Sequence, residues 1–354
     1  MGLELAFALA GLGGYNAHGA GFLDATKQLK LKPDLITATS GQIIVLSEWL
    51  RGGDLKALLI DSNRARGPLG TLMTAVSGDP GIFRPASAEY WRRWQNWPMS
   101  VKDFEAALFP AQEYVPLRTK AYLATICNTL NHAPMGVVFN AYNPSTGEGS
   151  LFGNDAARKI LTDVTLEIIT EEAVAAALWL SLYGFDGLPN GLMDGAYHRS
   201  CIVAELQDFA TVCVARPLAQ GWSDELPTSW FEVQDWQTEM WFSSSYKAEV
   251  ADMKRINTLI HDGYLKDDAY KHIKLIEIIV DHPAGYFNFF TERSSVYDAA
   301  HEQTLAVLPK SLSSKAPRAK GNVTLQSGIE TSASEIQDAA KLIVPQAAEA
   351  AGRS

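Results

Sequence analysis

Residues 5–50 decide the fold, and they read LAFALAGLGGYNAHGAGFLDATKQLKLKPDLITATSGQIIVLSEWL. Two short runs within them are interpreted as strands: 5–10 is apolar throughout and has the length of a buried strand, and 34–39 reads DLITAT. Each run is followed by a turn of small residues and then by a helical pattern, at 17–29 and at 42–50. Strand and helix therefore alternate, and this alternation predicts a mainly parallel sheet covered by helices.

The composition is that of a globular protein, with 47% hydrophobic and 20% charged residues in a chain of 354. The net charge of -10 argues against nucleic-acid binding, which needs a basic surface, and against electrostatic docking on an anionic membrane. The cysteines, Cys127, Cys201 and Cys213, show no CxxC spacing, and the histidines are scattered. We therefore expect a reducing compartment, no disulfide framework and no metal site.

The chain carries no basic segment ahead of its first apolar run, so a cleaved signal peptide is not expected. Its longest weakly polar run, 173–185, is too short to span a bilayer. These two features predict a cytoplasmic protein, while peripheral contact with a membrane stays open. The oligomeric state does not follow from the sequence.

The chain is expected to divide into a domain at 1–308 and a linker and tail at 309–354, with a short helix in the tail. The division falls where aromatic residues are lost and Ser, Lys and Ala prevail. Within the domain, 64–118 is rich in Trp, Arg, Pro and Gly and is interpreted as an insertion or lid. Further strands are expected at 122–127, 135–141, 211–216 and 273–281, and further helices at 171–182, 230–260 and 295–308.

Ser40 lies in TATSGQ, between the second predicted strand and its helix, with Thr39 and Gly41 beside it. A nucleophilic serine needs such a strand–turn–helix elbow, in which small residues permit the tight turn and the helix N-terminus presents free amides. The usual pattern is G-x-S-x-G, whereas here Ala38 and Gln42 occupy the two outer positions. Serine also caps helices routinely, so a helix cap remains the alternative interpretation.

The turn GLGGYNAHG, at 11–19, is compatible with a dinucleotide cradle, an oxyanion turn or a plain tight turn. A dinucleotide fingerprint needs glycine where Asn16 stands and an acid at the end of the next strand, and neither is present. A nucleotide-binding protein is therefore the weaker hypothesis. An oxyanion hole needs only unobstructed backbone amides near the nucleophile, and parallel pairing of the two strands would bring 11–14 close to Ser40.

A serine nucleophile also needs a proton acceptor, and Asp186 and Asp194 are candidates, each followed by glycine. Such a pair is more often a turn than a base. A carboxylate in a dry site can nevertheless have its pKa raised enough to accept a proton. The residues alone leave both aspartates open, and His18 and His198 are expected to be structural.

The order of these motifs, with a Gly-rich turn, a serine elbow and a distant Asp-Gly, resembles the patatin-like acyl hydrolase family. The family's start resembles xGGGxxGxxxxGVLxxL, and this chain has AGLGGYNAHGAGFLDAT at 10–26. The family's GTSAG elbow is similar to ATSGQ at 38–42, and its DGG or DGA motif is similar to LMDGAY at 192–197. The resemblance covers roughly residues 5–310.

This resemblance implies a three-layer α/β/α fold with a mainly parallel central sheet and an aromatic-rich insertion. It implies a lipid acyl hydrolase or esterase, phospholipase A-like, acting on a lipid or another ester through a Ser–Asp dyad without metal or cofactor. Ser40 would attack the ester carbonyl and Asp194 would accept its proton. The implied oxyanion hole is formed by Gly11, Leu12, Gly13 and Gly14.

Several residues depart from the family pattern: Leu12 and Asn16 stand at glycine positions of the turn, Tyr15 stands where the family usually has a basic residue, and Gln42 stands at the second glycine of the elbow. They leave open whether full activity is kept. The alternative is a catalytically impaired protein that binds lipid or a protein partner. The acyl chain, the head group and the positional specificity do not follow from the sequence.

Overall fold

The structure is a computed structural model. It describes residues 3–11, 16–59, 73, 76–79, 81–95, 101, 111–217, 226–265, 271–280 and 294–313. The strands are β1 Leu5–Leu9, β2 Leu35–Ala38, β3 Phe83–Pro85, β4 Tyr114–Pro116, β5 Gly136–Tyr142, β6 Gly149–Gly153, β7 Glu167–Ile168, β8 Met193–Asp194, β9 Thr211–Arg216 and β10 Lys274–Ile279. The helices are α1 Ala17–Gln28, α2 Gln42–Leu50, α3 Leu55–Leu59, α4 Ser87–Gln95, α5 Lys120–Asn131, α6 Asp155–Ile160, α7 Glu171–Ala177, α8 Trp230–His261 and α9 Ser294–Ser313.

The main sheet has the strand order β10–β9–β1–β2–β5–β6–β7, and β8 pairs with β5. Its first five strands are parallel, because β1 pairs in parallel with β2 and β9, β9 with β10, and β2 with β5. β6 and β8 run antiparallel to β5. The predicted fold class, an α/β protein with a mainly parallel central sheet, is confirmed.

The sheet is the middle of three layers, and the sequence of β1 explains why both of its faces are covered. Phe7 and Leu9 belong to one apolar cluster, with residues of α1, α2, α5, α7 and α9. Ala6 and Ala8 belong to the other cluster, with residues of α6 and α8. Side chains alternate between the two faces of a strand, so an apolar run with no polar position fits a sheet buried on both sides.

The carboxyl edge of the sheet is where the chain can build a site. β1 lies between β2 and β9, so the connections leave it toward opposite sides of the sheet. In open α/β sheets, ligands bind outside the carboxyl ends of the strands at such a switch point. The turn after β1 and the turn after β2 both lie at this edge.

One predicted element is wrong: residues 122–127 form part of helix α5 and not a strand. Thr119 precedes the helix and its hydroxyl accepts a hydrogen bond from the Tyr122 amide at 3.2 Å, which is an N-cap. Ile126 and Leu130 are buried one turn apart, so the apolar residues follow a helical period. The apolar stretch at 122–127 is too short to distinguish the spacing of a helix from that of a strand.

Part of the predicted insertion at 64–118 is described. It contains α4 and the antiparallel pair of β3 and β4, which forms a second, small sheet. Phe83 and Tyr114 from this pair pack against Leu180 and Tyr183, which precede Asp194 in the chain. The insertion is therefore anchored on the segment that leads to the predicted base.

The last described helix, α9, passes Pro309 and ends at Ser313, and the predicted tail helix lies outside the described residues. α9 packs on the same face of the sheet as α1. Among the helices that the structure describes, none combines the length and apolar character needed to cross a membrane.

Candidate active site

Ser40 lies at the sharp turn between β2 and α2, with a φ of +57°. This left-handed conformation costs a non-glycine residue about 1–2 kcal/mol. A nucleophilic serine at a strand-to-helix elbow has this kind of strained backbone, whereas a helix cap has an extended one. The geometry of Ser40 therefore differs from that of an ordinary cap.

The turn after β1 touches this elbow. β1 and β2 pair in parallel with Leu9 opposite Ala38, so their following turns begin side by side. A Cβ atom at Gly11 would lie 2.6 Å from the Thr39 carbonyl oxygen and 2.8 Å from Ser40 Cβ, which leaves room only for glycine. The other predicted oxyanion residues, Leu12, Gly13 and Gly14, lie outside the described residues.

Asp194 lies directly against Ser40, although 154 positions separate them in the chain. The Ser40 hydroxyl donates a hydrogen bond of 2.5 Å to Asp194 Oδ2. The strand β8 holds Asp194 opposite Ala141 of β5, and the other carboxylate oxygen, Oδ1, accepts from the Ala196 amide at 2.9 Å. The structure thus brings together the two side chains predicted to carry the chemistry.

Both side chains are almost completely covered: Ser40 is 2% exposed and Asp194 is 1% exposed. Burial raises the pKa of Asp194 from its ordinary value to about 7, while hydrogen bonds from Ser40 and Ala196 and the charge of Arg118 lower it. A carboxylate with a pKa near 7 is a much better proton acceptor than an ordinary aspartate.

Arg118 was not predicted, and it enters the site from the end of the insertion. Its Nη1 atom donates to the Leu178 carbonyl oxygen at 3.4 Å, and its charge acts on Asp194. Arg118 follows β4 in the chain. The packing of β4 against the segment before Asp194 therefore sets the position of Arg118. The sequence offered no signal for this role, because only the tertiary fold brings Arg118 to the dyad.

Asn140 was also missed, and it fixes the loop after Asp194. Its Nδ2 atom donates to the carbonyl oxygens of Gly195, at 3.1 Å, and Arg199, at 2.9 Å. A Cβ atom at position 195 would lie 2.3 Å from the Asn140 side chain, so an alanine there would displace the Asn140 amide. The available signal was a polar residue inside the otherwise apolar strand GVVFNAY.

Free backbone amides at the elbow are available for a developing negative charge. The amides of Ser40 and Gly41 donate to no acceptor among the described residues. Gly41 is the N-cap of α2, so its amide stands at the positive end of a helix. An amide after the nucleophile is the usual elbow contribution to an oxyanion hole.

The departures Asn16 and Gln42 are accommodated by glycines. A Cβ atom at Gly41 would lie 2.1 Å from the Asn16 side-chain amide, so the glycine leaves space for that amide. The Gln42 side chain points away from the elbow and toward α1. Its amide lies against Gly19, and its Nε2 atom is 3.0 Å from His18 Nε2. Gln42 is therefore packed away from the elbow, whereas the Asn16 side chain lies against Gly41, beside Ser40.

The other candidates lie apart from the dyad. Asp186 is exposed, in a turn followed by Gly187 with a φ of +80°. His198 is exposed and stacks on the Tyr142 ring, with centroids 6.0 Å apart. His18 is buried, with Nε2 2.8 Å from the Ala10 carbonyl oxygen. Within the described part of the chain, no group of three or more His, Cys, Asp or Glu side chains is arranged to hold a metal ion.

No protein-family model and no curated protein matches the sequence. Among solved structures, the crystal structure of VipD from Legionella pneumophila is similar, with 14% sequence identity and a TM-score of 0.36. The similarity covers 88% of this chain and 67% of that chain. Since a likeness at this identity concerns the fold alone, the chemistry of this chain has to be argued from the site itself.

Proposed function

We propose that the protein is a serine acyl hydrolase of the patatin-like type, a lipid acyl hydrolase or esterase, with Ser40 as nucleophile and Asp194 as base. The observation that carries the proposal is the 2.5 Å hydrogen bond from Ser40 Oγ to Asp194 Oδ2 in a buried site at the carboxyl edge of the sheet. A nucleophile and base within hydrogen-bond reach are the signature of an activated serine.

In the first half of the reaction, Ser40 Oγ attacks the carbonyl carbon of the ester while Asp194 takes the hydroxyl proton. The carbonyl oxygen becomes an oxyanion, and in this proposal the Gly41 amide at the start of α2 donates a hydrogen bond to it. Collapse of this intermediate breaks the bond to the alcohol oxygen. Asp194 returns the proton to that oxygen, and the acyl group stays on Ser40.

In the second half, water attacks the acyl carbon with Asp194 as the general base. The new tetrahedral intermediate expels Ser40 Oγ, which takes back the proton, and the carboxylic acid leaves. A single carboxylate thus serves both halves, and its pKa of about 7 suits alternate acceptance and donation of a proton.

An active-site probe tests the proposal. We expect a fluorophosphonate to label the wild-type protein covalently, with the mass increase mapped to the peptide that contains Ser40, and the Ser40→Ala variant to take up none. The matched control is Ser47→Ala, since Ser47 is a buried serine in α2 and should keep full labelling.

A folded wild-type protein that neither takes up the probe nor cleaves short p-nitrophenyl esters would contradict the proposal. The alternative stated from the sequence, an impaired protein that binds lipid or a protein partner, would then be preferred. Folding is checked by the melting temperature of each variant, so that loss of labelling is not caused by loss of structure.

A further inference from the structure

The asparagine at the start of α1 does not have the role that is usual for its position. Asn16 is the N-cap residue of α1, where an asparagine side chain normally accepts a hydrogen bond from an amide of the first turn. Its side chain makes no such bond, and its backbone is helical, with a φ of -78° and a ψ of -8°. Asn154, the N-cap of α6, shows the usual arrangement, because its Oδ1 atom accepts from the Ala157 amide at 2.9 Å. The Asn16 side chain is therefore not used to cap its own helix.

The amide group of Asn16 has no hydrogen-bond partner among the described residues. Its Oδ1 atom is buried and unpaired, and its Nδ2 atom donates to no described acceptor. Polar groups inside proteins are nearly always paired, because an unpaired one costs free energy. An asparagine in this setting therefore calls for a partner that is present only when substrate is bound.

The packing of α1 against α2 fixes the position of this side chain. A Cβ atom at Gly41 would lie 2.1 Å from Asn16 Nδ2, so the glycine leaves space for the Asn16 amide. One helical turn after Asn16, Gly19 leaves space in the same way for the amide of Gln42. The first turns of the two helices thus lie side by side, with an amide of each helix against a glycine of the other.

This contact brings Asn16 close to the amide that we propose for the oxyanion. A Cβ atom lies about 2.5 Å from the nitrogen of its own residue, so Asn16 Nδ2 lies within about 4.6 Å of the Gly41 nitrogen. Two donors at this separation can reach the same oxygen, because each N–H···O bond is about 2.9 Å long. Gly41 directly follows Ser40, so the shared oxygen would lie beside the nucleophile.

We propose that Asn16 is a catalytic residue, whose side-chain amide donates a hydrogen bond to the oxyanion of the tetrahedral intermediate on Ser40. Asn16 Nδ2 and the Gly41 amide then hold one oxygen together. Asparagine side chains are suitable donors for this purpose, and their bond strengthens as negative charge develops on the oxygen. This inference rests on the proposed acyl hydrolase function, and it assigns the donor to a residue that stands where the family pattern has glycine.

Removal of the amide gives the first test. With p-nitrophenyl butyrate, we expect Asn16→Ala to lower kcat and kcat/KM by the same factor, about 10²- to 10³-fold, because the lost bond acts mainly on the transition state. The melting temperature should be kept, because the amide has no described partner. The matched control is Asn128→Ala, which removes the amide of an exposed asparagine of α5 and should keep the wild-type kcat.

Asn16→Asp distinguishes a donor from a group that only fills the space beside Gly41. Aspartate has nearly the same shape as asparagine and is equally favoured at an N-cap, so the variant should fold. Its carboxylate has no N–H to donate, and its negative charge repels an oxyanion. We therefore expect kcat of Asn16→Asp to be as low as that of Asn16→Ala or lower. A space-filling role would instead leave Asn16→Asp clearly more active than Asn16→Ala, and that result would overturn the proposal.

A transition-state analogue shows whether the loss concerns the oxyanion itself. A trifluoromethyl ketone forms a tetrahedral adduct with a serine nucleophile, and its inhibition constant should rise in Asn16→Ala by a factor similar to the fall in kcat. An active wild type together with an Asn16→Ala enzyme of equal or higher kcat would overturn the role of Asn16 alone. If the folded wild type neither cleaves the ester nor takes up a fluorophosphonate, the proposed function fails, and the role of Asn16 fails with it.

Discussion

At the scale of single residues, Ser40 and Asp194 each have a costly setting. Ser40 has a left-handed backbone conformation that residues other than glycine avoid. Asp194 has a carboxylate that is almost fully removed from water. The hydrogen bonds from Ser40 and from the Ala196 amide offset part of the second cost. Costs of this kind concentrate at functional sites, which is consistent with the proposed dyad.

The pH dependence of hydrolysis follows from the environment of Asp194. As a base it must be ionised, and burial raises its pKa to about 7. We therefore expect kcat/KM to rise with pH, with a midpoint near 7, and to level off above it. A profile measured with a neutral p-nitrophenyl ester that is flat between pH 5 and 9 would contradict this assignment.

The stability of the protein should also depend on the ionisation of Asp194. Stability should fall as pH rises, whereas activity should increase. The pKa of Asp194 is higher in the folded state than in the unfolded chain, so the folded protein binds more protons between about pH 4 and 7. The contribution of Asp194 to stability is therefore lost as pH rises through that window. The melting temperature of Asp194→Asn relative to wild type should increase from pH 4 to pH 8, and a constant difference would argue against the raised pKa.

The backbone strain at Ser40 makes a separate prediction. Both Ser40→Ala and Ser40→Gly remove the hydroxyl, but only glycine adopts a φ of +57° without a penalty. Ser40→Gly should therefore be more stable to urea than Ser40→Ala by about 1 kcal/mol. Equal stabilities of the two variants would show that the elbow is not strained.

At the scale of elements, the packing of α1 against α9 depends on a glycine. A Cβ atom at Gly21 would lie 2.2 Å from the Tyr297 carbonyl oxygen, and a backbone atom cannot turn aside as a side chain can. The two helices are also joined by the Tyr297 hydroxyl, which donates to Asp24 Oδ2 at 2.7 Å. The sequence signal for this close approach is the glycine itself, since Gly21 interrupts the helical pattern at 17–29.

Gly21→Ala should therefore destabilise the protein. In a free helix this change would stabilise by about 1 kcal/mol, whereas forcing a methyl group into a filled contact costs about 1–3 kcal/mol. We expect the midpoint of urea unfolding to fall. A midpoint that rises would mean that α9 does not pack on α1 as described.

The sequence pattern predicted correctly those strands and helices that are bounded by a recognisable turn. The runs at 5–10 and 34–39 alternate with glycine turns, and both are strands in the structure. The run at 122–127 has neither a turn nor a glycine nearby, and its helix is fixed by the Thr119 cap and by tertiary packing. In so short a stretch of sequence, packing against neighbouring elements decides whether the residues form a helix or a strand.

At the scale of the whole molecule, the candidate site exists only when distant segments meet. The elbow follows β2, the predicted base lies on β8, and the sheet places both beside the turn after β1. The motifs allowed Ser40 and Asp194 to be predicted, because each lies in a recognisable turn. Arg118 could not be predicted, because its position depends on which strands and loops become neighbours, whereas Asn140 carried the signal of a polar residue within an apolar strand.

The central claim is that Asp194, and not Asp186, is the proton acceptor for Ser40, and paired variants test it most directly. With p-nitrophenyl butyrate, Asp194→Asn should lower kcat by about 10²- to 10⁴-fold, the usual contribution of a general base, while its fold is kept. Asp186→Asn changes an exposed turn and should leave kcat at the wild-type value. The reverse pattern, or a folded Asp194→Asn enzyme with full activity, would contradict the account.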